Sequence, residues 1–92
     1  MTVVAVLDVP VGGVVALQHY EDLVLPLLAR YDGALERRLR TADGTTEVHV
    51  LTFSSDAAYR SYLLDPERLG HRAVLGDVLV QQRVLEGMVD VH

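Results

Sequence analysis

A run of apolar residues at the start of the chain limits most strongly what this sequence can fold into. The segment from Thr2 to Val9 is almost continuously apolar and rich in β-branched residues, and Asp8 is its one charged residue. A run without a polar face is typical of a strand covered on both sides, so we expect it at the centre of a sheet. Because a lone buried carboxylate is costly, we expect Asp8 at the mouth of the strand or paired with an arginine such as Arg38.

The next segment changes to a helical period. From about Val15 to Tyr31, apolar residues recur at spacings of three and four, while polar residues, Glu21 among them, occupy the opposite face. This pattern predicts an amphipathic helix with one buried stripe. Pro26 lies inside it and removes a backbone hydrogen bond, so we expect a kink there. Asp32-Gly33 is the expected stop, with Gly33 as the residue free to take a left-handed conformation.

A hairpin is the strongest local signal in the middle of the chain. Residues 34–40 and 46–53 are both strand-like, and Asp43-Gly44 lies between them. If Asp43-Gly44 is a two-residue turn, Arg40 lies opposite Glu47 and Arg38 lies opposite His49. Five polar side chains then project from one face of the sheet: Glu36, Arg38, Arg40, Glu47 and His49. A different turn length or a bulge would change these faces.

Three further elements complete a known arrangement. They are, in chain order, a helix capped by Ser54 or Ser55, a helical piece from Pro66 to about Gly76, and a strand from Gln81 to Val91. The order β-α-β-β-α-β predicts a single ferredoxin-like domain over residues 1–92, an α+β fold with a four-stranded antiparallel sheet and two helices on one face. The other face would be uncovered, and the first strand has no polar side to offer it. We therefore expect a homodimer whose two sheets face each other.

Composition excludes several classes of function. The 92 residues include no cysteine, which excludes disulfides, thiolate nucleophiles and cysteine-based zinc sites. The net charge of −5 argues against a nucleic-acid partner, because proteins that bind phosphate backbones carry a basic excess. No segment approaches the roughly 20 apolar residues of a membrane span, and the first ten residues lack the positive region of a signal peptide. We expect a cytoplasmic protein that has neither a membrane nor a nucleic-acid partner.

The residues at several helix ends, turns and breaks of this chain resemble those of one superfamily. The residues that carry the resemblance are Tyr20, Pro26, Tyr31 and Gly33 at the first helix and its turn, Phe53-Ser54 at a strand end, and Asp65-Pro66-Glu67 at a break. They resemble the dimeric α/β-barrel superfamily, which includes the antibiotic-biosynthesis-monooxygenase-like domains, and are most similar to its uncharacterised families. The resemblance implies a ferredoxin-like homodimer. The superfamily includes cofactor-independent oxygenases, haem-degrading enzymes and lactone isomerases, so fold alone does not select a reaction.

His49 is the leading candidate for chemistry. If its sheet face is turned toward a partner subunit, Glu47 would hold His49 as a proton acceptor in an enclosed polar cavity that Glu36 also lines. Arg38 would then stabilise developing negative charge. If that end of the hairpin projects into solvent, these are ordinary surface charges, and a third alternative is an interface salt-bridge network without a ligand. Two ligands from one strand are too few for a metal site, and we expect no cofactor.

The resemblance suggests a second place for a ligand. Ligands in this superfamily often lie between helices and sheet, so Tyr20, Tyr62 and His71 would rim a pocket there. The residue pattern alone is also typical of core tyrosines whose hydroxyl group remains in contact with solvent. His92 is terminal and is expected to fray.

Two functions follow as expectations. The first is a homodimer that binds a small, largely apolar or aromatic molecule, with cofactor-independent, monooxygenase-like or isomerase-like proton transfer at His49. The second is a non-catalytic dimerisation or accessory module with no small-molecule ligand.

Overall fold

Four antiparallel strands with helices on one side form the protein in a computed structural model, which describes residues 1–91. His92, expected to fray, lies outside the described residues. The elements are β1 (Thr2–Asp8), a short 3-10 turn (Val11–Gly13), α1 (Val14–Val24), a 3-10 helix (Leu25–Tyr31), β2 (Gly33–Arg40), β3 (Thr46–Phe53), α2 (Asp56–Leu63), α3 (Pro66–Gly70), a second 3-10 helix (His71–Leu75) and β4 (Gln81–Glu86). The strand order is β2-β3-β1-β4. This confirms the predicted ferredoxin-like α+β fold.

β1 occupies the centre of the sheet, as its apolar pattern predicts. It pairs antiparallel with β3 on one side and with β4 on the other. Val3 and Leu7 are buried on the face that the helices cover. Val4 and Val6 alternate with them and therefore point to the opposite face, where they stay partly exposed.

Asp8 lies at the exposed end of β1, which was one of the two expected positions. Its Oδ1 accepts a hydrogen bond of 2.6 Å from the hydroxyl of Thr46 on β3. The suggested pairing with Arg38 is wrong, because the guanidinium of Arg38 is held by Glu47 and Asp22.

The predicted kink at Pro26 takes the form of a change in helix type. α1 ends at Val24, and the chain continues as the 3-10 helix, with Pro26 near its start, because proline has no N–H for the α-helical ladder. The left-handed residue that ends this segment is Asp32, with φ 54°, and not Gly33. Gly33 is needed for a different reason. A Cβ there would lie 2.7 Å from Cε1 of Phe53.

The hairpin has the predicted register but a longer turn. The pairs Arg38–His49 and Arg40–Glu47 are opposite each other, as expected. The N–H of Gly44 donates to the carbonyl of Thr41 at 2.9 Å, and Gly44 has φ 77°. The loop between β2 and β3 has five residues, 41–45, and the expected two-residue turn is wrong.

A bulge in β2 overturns the expected placement of Glu36. The pairing register shifts between Leu35 and Arg37, so Glu36 does not share the face of Arg38. The exposed carboxylate of Glu36 instead accepts a hydrogen bond of 2.9 Å from the hydroxyl of Thr52, on the face opposite His49. Glu36 thus lies apart from the other four polar residues of the hairpin.

The remaining elements follow the expected order with shorter bounds. Ser55 caps α2, since its Oγ accepts the N–H of Ala58 at 3.0 Å. β4 ends at Glu86, five residues earlier than predicted, and Gly87 follows with φ 68°. Within residues 1–91, no helix is both long enough and apolar enough to span a bilayer.

The core has two apolar clusters between sheet and helices. The larger consists of Val3, Leu27, Leu28, Leu51, Phe53, Tyr59 and Tyr62, and the smaller of Leu7, Val9 and Leu17. Asp65 is buried as the cap of α3, and three more buried polar residues, Glu21, Glu47 and His49, lie between α1 and the sheet. These polar residues are the starting point for the functional site.

Candidate ligand-binding site

Glu47 is the most completely buried acid of the site, with 0% of its surface exposed. Arg38 donates to it through Nε at 2.7 Å and through Nη2 at 3.3 Å. Arg40 donates through Nη2 at 3.2 Å. Nε2 of His49 lies 2.8 Å from Oε1 of the same carboxylate. The hairpin register produces this cluster, because it places both arginines beside the two β3 residues on one face.

The charges around Glu47 determine the state of His49. Burial raises the pKa of Glu47, but the hydrogen bonds from Arg38 and His49 and the charges of the two arginines outweigh it and hold that pKa at about 2. The carboxylate is therefore ionised and accepts the Nε2–H of His49. Burial lowers the pKa of His49, although Glu47 opposes this, so the ring is neutral near pH 7. Nδ1 then carries the free lone pair.

A second acid approaches the other side of the imidazole. Oε2 of Glu21, from α1, lies 3.8 Å from Nδ1 of His49, which is beyond hydrogen-bond distance. Glu21 is 5% exposed, so its expected place on the polar face of the helix is wrong. Burial, and then the nearby charge of Glu47, raise the pKa of Glu21 to about 7. Glu21 is therefore close to half protonated at neutral pH.

A cavity of about 130 Å³ opens between the helices and the sheet beside His49. Its walls are mainly apolar, with Val3, Ala5 and Leu51 on the sheet side. The lining residues that carry a polar group are Tyr20, Glu21, His49, Tyr59, Tyr62, Arg68 and Gln82. A groove of about 340 Å³ adjoins the cavity, and several residues, including Arg68, line both. A mostly apolar space with a few convergent polar groups is the usual form of a small-molecule site.

His49 faces the helix layer and not the open face of the sheet. The expected cavity toward a partner subunit is therefore wrong for His49, and so is exposure of this residue to solvent, since it is 2% exposed. Which face it occupies depends on the side from which α1 packs. Glu47 lies behind His49 and does not line the cavity. Arg38 is also outside, and its Nη1 donates to Asp22 at 3.1 Å.

Two of the three residues expected to rim a pocket between helices and sheet line the cavity, and the third does not. Tyr20 and Tyr62 line the cavity, as the resemblance implied. His71, on the second 3-10 helix, lines neither the cavity nor the groove. Tyr62 also packs in the apolar core, so its structural role and its place at the cavity coexist.

Two residues of the site, Glu21 and Arg68, were not predicted from the sequence. Glu21 looked like a surface acid, because it directly follows Tyr20 on the apparent polar side of α1. Arg68 lies in α3, where its backbone N–H is capped by Asp65 at 3.0 Å. The Asp65-Pro66 signal predicted this helix, but not the direction in which Arg68 points. Its guanidinium lies 4.8 Å from the ring centre of Tyr62, at the cavity.

A metal centre finds no support in the described part of the chain. Across residues 1–91, no three His, Asp or Glu side chains are grouped to hold a metal ion. Both oxygens of Glu47 already accept hydrogen bonds from arginine.

Comparisons with known proteins find similarity in structure only. No protein-family model matches the chain, and no curated protein matches it in sequence. The structure of Rv0793 from Mycobacterium tuberculosis is similar over 99% of this chain and 97% of that one, with 23% identity and a TM-score of 0.72. SnoaB, a cofactor-independent oxygenase from Streptomyces nogalater, is similar over 98% of this chain and 94% of its own, with 19% identity and a TM-score of 0.71.

A protein from Nitrosomonas europaea, named as a candidate antibiotic biosynthesis monooxygenase, adds a third similar structure. It has 16% identity and a TM-score of 0.72, over 97% of this chain and 100% of its own. At such identities the likeness concerns the fold and not the reaction. The chain therefore has the ferredoxin-like fold of the antibiotic-biosynthesis-monooxygenase-like structures, which confirms the resemblance at the level of the fold.

Proposed function

We propose that the protein is a homodimer that binds a small, largely apolar molecule with an aromatic ring, and that His49 accepts a proton from this molecule without a cofactor. One observation carries the proposal. A neutral imidazole, fixed by an ionised and fully buried glutamate, borders an apolar cavity. A general base needs a fixed position, a free lone pair and a pKa not far from the working pH.

The size of the cavity sets the size of the ligand. An apolar cavity of ~150 Å³ accommodates benzene, so about 130 Å³ beside His49 suits a single ring. The adjoining groove of about 340 Å³ offers room for a second ring or a side chain. Tyr20 and Tyr62 at the wall provide aromatic surface against which a planar molecule can pack.

The arrangement of His49 and Glu47 suits proton transfer. Nδ1 of His49 takes a proton from an acidic C–H or O–H of the ligand, and the ionised Glu47 stabilises the imidazolium that forms. Arg38 and Arg40 act by holding Glu47 in position. In an isomerase-like reaction the proton returns to another atom of the ligand. In a monooxygenase-like reaction the carbanion of a ligand CH₂ group reacts with dioxygen, the oxidant, so that the group becomes a carbonyl and the second oxygen atom leaves as water (CH₂ + O₂ → C=O + H₂O). SnoaB, which has a similar fold, is a cofactor-independent oxygenase, so a protein with this fold can carry out chemistry of this class.

Proton exchange into a probe tests the proposal directly. 2-Indanone is a compact apolar ketone with acidic C–H groups, so we expect the protein to accelerate its hydrogen–deuterium exchange in D₂O, followed by NMR. General-base catalysis contributes typically ~10²–10⁴-fold, and His49→Gln should abolish the acceleration. Glu36→Gln, on the opposite face, is the matched control and should leave it unchanged.

The outcomes separate the two expected functions. Acceleration that survives in His49→Gln would contradict the role of His49. A thermal-shift screen of hydroxyaromatic molecules and ketones provides the second measurement, with wild type compared with His49→Ala. If no compound stabilises the wild type and no exchange occurs, the non-catalytic dimerisation module is the better account.

Homodimer formation is supported by the sheet face that the helices leave uncovered. Val4 and Val6 of β1, with Val48 and Val50 of β3, present a partly exposed apolar surface there. Leu39 of β2 is 43% exposed on the same face. A second copy of the chain would cover this surface, since apolar area removed from water contributes about 25 cal/mol per Å².

Charge placed on the open face tests the dimer. Val4→Asp should convert the dimer to a monomer or to unfolded chain, since the carboxylate would be buried without a partner. Val15→Asp, at a position that is 80% exposed on α1, is the control and should leave the mass unchanged. Sedimentation equilibrium gives the mass. A monomeric wild type, or a Val4→Asp variant that is still a dimer, would count against the proposed association.

A further inference from the structure

We propose that the ligand of this cavity carries an anionic oxygen, and that Arg68 binds it. The inference rests on the proposed function, because it concerns the same cavity, and it adds the chemical class of the ligand. The class is a planar, apolar ring system with one carboxylate, phenolate or enolate oxygen.

A comparison of the eight arginines singles out Arg68. Four of them are ion-paired: Arg30 with Asp65 and Glu67, Arg38 with Asp22 and Glu47, Arg40 with Glu47, and Arg60 with Asp56 and Glu86. Three others, Arg37, Arg72 and Arg83, are exposed to solvent. Arg68 is half-buried, yet within residues 1–91 no carboxylate lies within ion-pair distance of it. Its charge therefore has neither full solvation nor a carboxylate in direct contact, and Glu21 interacts with it only from a greater distance.

The hydrogen bonds of Arg68 are incomplete in the same way. Nη1 donates to the backbone carbonyl of Leu63 at 3.4 Å, which is a long bond. Nε is buried and has no partner among the described residues. Buried N–H groups without a partner are rare in folded proteins, and each calls for an explanation. An oxygen supplied by a ligand would satisfy this donor.

Arg60 provides an internal reference for what is missing. Its guanidinium lies 5.1 Å from the ring centre of Tyr59, much as Arg68 lies 4.8 Å from that of Tyr62. Arg60, however, also donates to Glu86 at 2.7 Å. The two arginine–tyrosine pairs thus differ in their counter-ions, since Asp56 and Glu86 contact Arg60 and no carboxylate of the described residues lies within ion-pair distance of Arg68.

The position of Arg68 fits recognition of a ring substituent. Arg68 lines both the cavity and the groove, so it lies where they join. A ring placed in the cavity beside His49 would direct a substituent toward this junction. Guanidinium groups bind carboxylate and other oxyanions with short, charge-assisted hydrogen bonds, which gives the anionic form of a ligand an advantage over its neutral analogue.

Two probes of equal shape test the inference. 2-Naphthoate and 2-naphthamide differ in charge but not in ring system, and their dissociation constants can be measured by NMR titration at pH 6. We expect 2-naphthoate to bind about tenfold or more tightly than 2-naphthamide. Arg68→Met should reduce this ratio to about one while naphthamide still binds. Arg60→Met is the matched control and should keep the preference.

The possible outcomes distinguish this inference from the proposed function. Equal binding of both probes to the wild type would overturn the anionic class, while the cavity remains a ligand site. A preference that survives in Arg68→Met would overturn the role of Arg68. If neither probe binds the wild type, both proposals fail. Arg68→Gln provides a second variant if Arg68→Met does not fold, and replacing naphthoate by 2-naphthol above pH 9 compares phenolate with carboxylate.

Discussion

The two ends of β3 are buried to a similar degree, one by apolar packing and the other by hydrogen bonds and ion pairs. Leu51 and Phe53 pack in the apolar core, where the ring of Phe53 lies 5.3 Å from that of Tyr59 and 5.7 Å from that of Tyr62. His49 and Glu47, on the same face of the same strand, are 2% and 0% exposed. They are held by hydrogen bonds and ion pairs instead of apolar packing.

The difference shows which part of the sheet needs a functional explanation. Buried ion pairs stabilise a fold weakly, because loss of hydration offsets their attraction, and apolar side chains of similar volume often serve as well or better. We call the part of β3 with Leu51 and Phe53 the aromatic end and the part with Glu47 and His49 the charged end. Apolar packing is enough to explain why the aromatic end is buried. The charged end costs stability unless every member keeps its partner, and it is the end that brings a titratable group of the sheet, His49, to the cavity.

Removal of the charge on Glu47 should break the charged end, with the largest expected effect. Glu47→Gln leaves two arginines and His49 without their common acceptor, so we expect a loss of about 3–5 kcal/mol in the free energy of unfolding at pH 7. Because the pKa of Glu47 is lowered to about 2, the stabilisation in the wild type is full above pH ~4.5 and is lost as pH falls toward 2. Urea denaturation measures both effects. Glu36→Gln is the control, with a change within about 0.5 kcal/mol.

Replacement of Glu21, which approaches His49 from α1, should show that burial of this acid lowers the stability of the protein. Its pKa is raised to about 7, so the folded state holds a proton that the unfolded state releases above pH ~4.5, and stability falls as pH rises from there through 7. Glu21→Gln should therefore stabilise the protein by about 1–3 kcal/mol at pH 8 and have little effect at pH 4. Denaturation midpoints at both values give the result. A destabilised variant at pH 8 would show that the carboxylate is better solvated than its burial indicates.

At the aromatic end, crowding of Phe53 should matter at every pH. A Cβ at position 33 would lie 2.7 Å from Cε1 of Phe53 and 3.0 Å from the carbonyl oxygen of Leu28. Gly33→Ala should then destabilise by about 1–3 kcal/mol, equally at pH 5 and pH 8, because no ionisable group is involved. Gly70→Ala, where an added Cβ meets nothing within 4 Å, is the matched control and should not destabilise. Thermal melts of the two variants at both pH values make the comparison.

The smallest effect concerns the cap that follows the aromatic end. The hydroxyl of Ser55 accepts the N–H of Ala58 at 3.0 Å at the start of the helix that carries Tyr59 and Tyr62. Ser55→Ala should cost about 1 kcal/mol in the free energy of unfolding. Ser54→Ala, one residue earlier, should be close to neutral in the same urea titration. Equal effects of the two variants would show that the capping hydrogen bond is not what stabilises this helix.

Local patterns predicted most of the fold. The apolar run of β1 predicted its central position, since a strand covered on both faces needs no polar side. The charge match between Arg40 and Glu47 agreed with the true hairpin register, although the turn is longer than expected. These features depend on residues near in sequence or on simple alternation, which is why they could be predicted.

The site depended on the tertiary structure. Both faces of β3 carry apolar residues, with Leu51 and Phe53 on one and Val48 and Val50 on the other, so alternation alone does not tell which face the helices cover. The bulge at Glu36 removed one expected member, because a single extra residue reverses the faces of a strand. Glu21 and Arg68 joined the site from helices whose rotation only packing determines.

The sequence by itself determined the order of elements, the hairpin register and the pairing of Glu47 with His49, because these follow from backbone periodicity and cross-strand neighbours. Only the tertiary structure decided that His49 faces the helices, that Glu21 approaches it and that Arg68 borders the same cavity. The physical reason is that a cavity is defined by surfaces distant along the chain. Their relative placement arises from packing of the whole core and not from any local pattern.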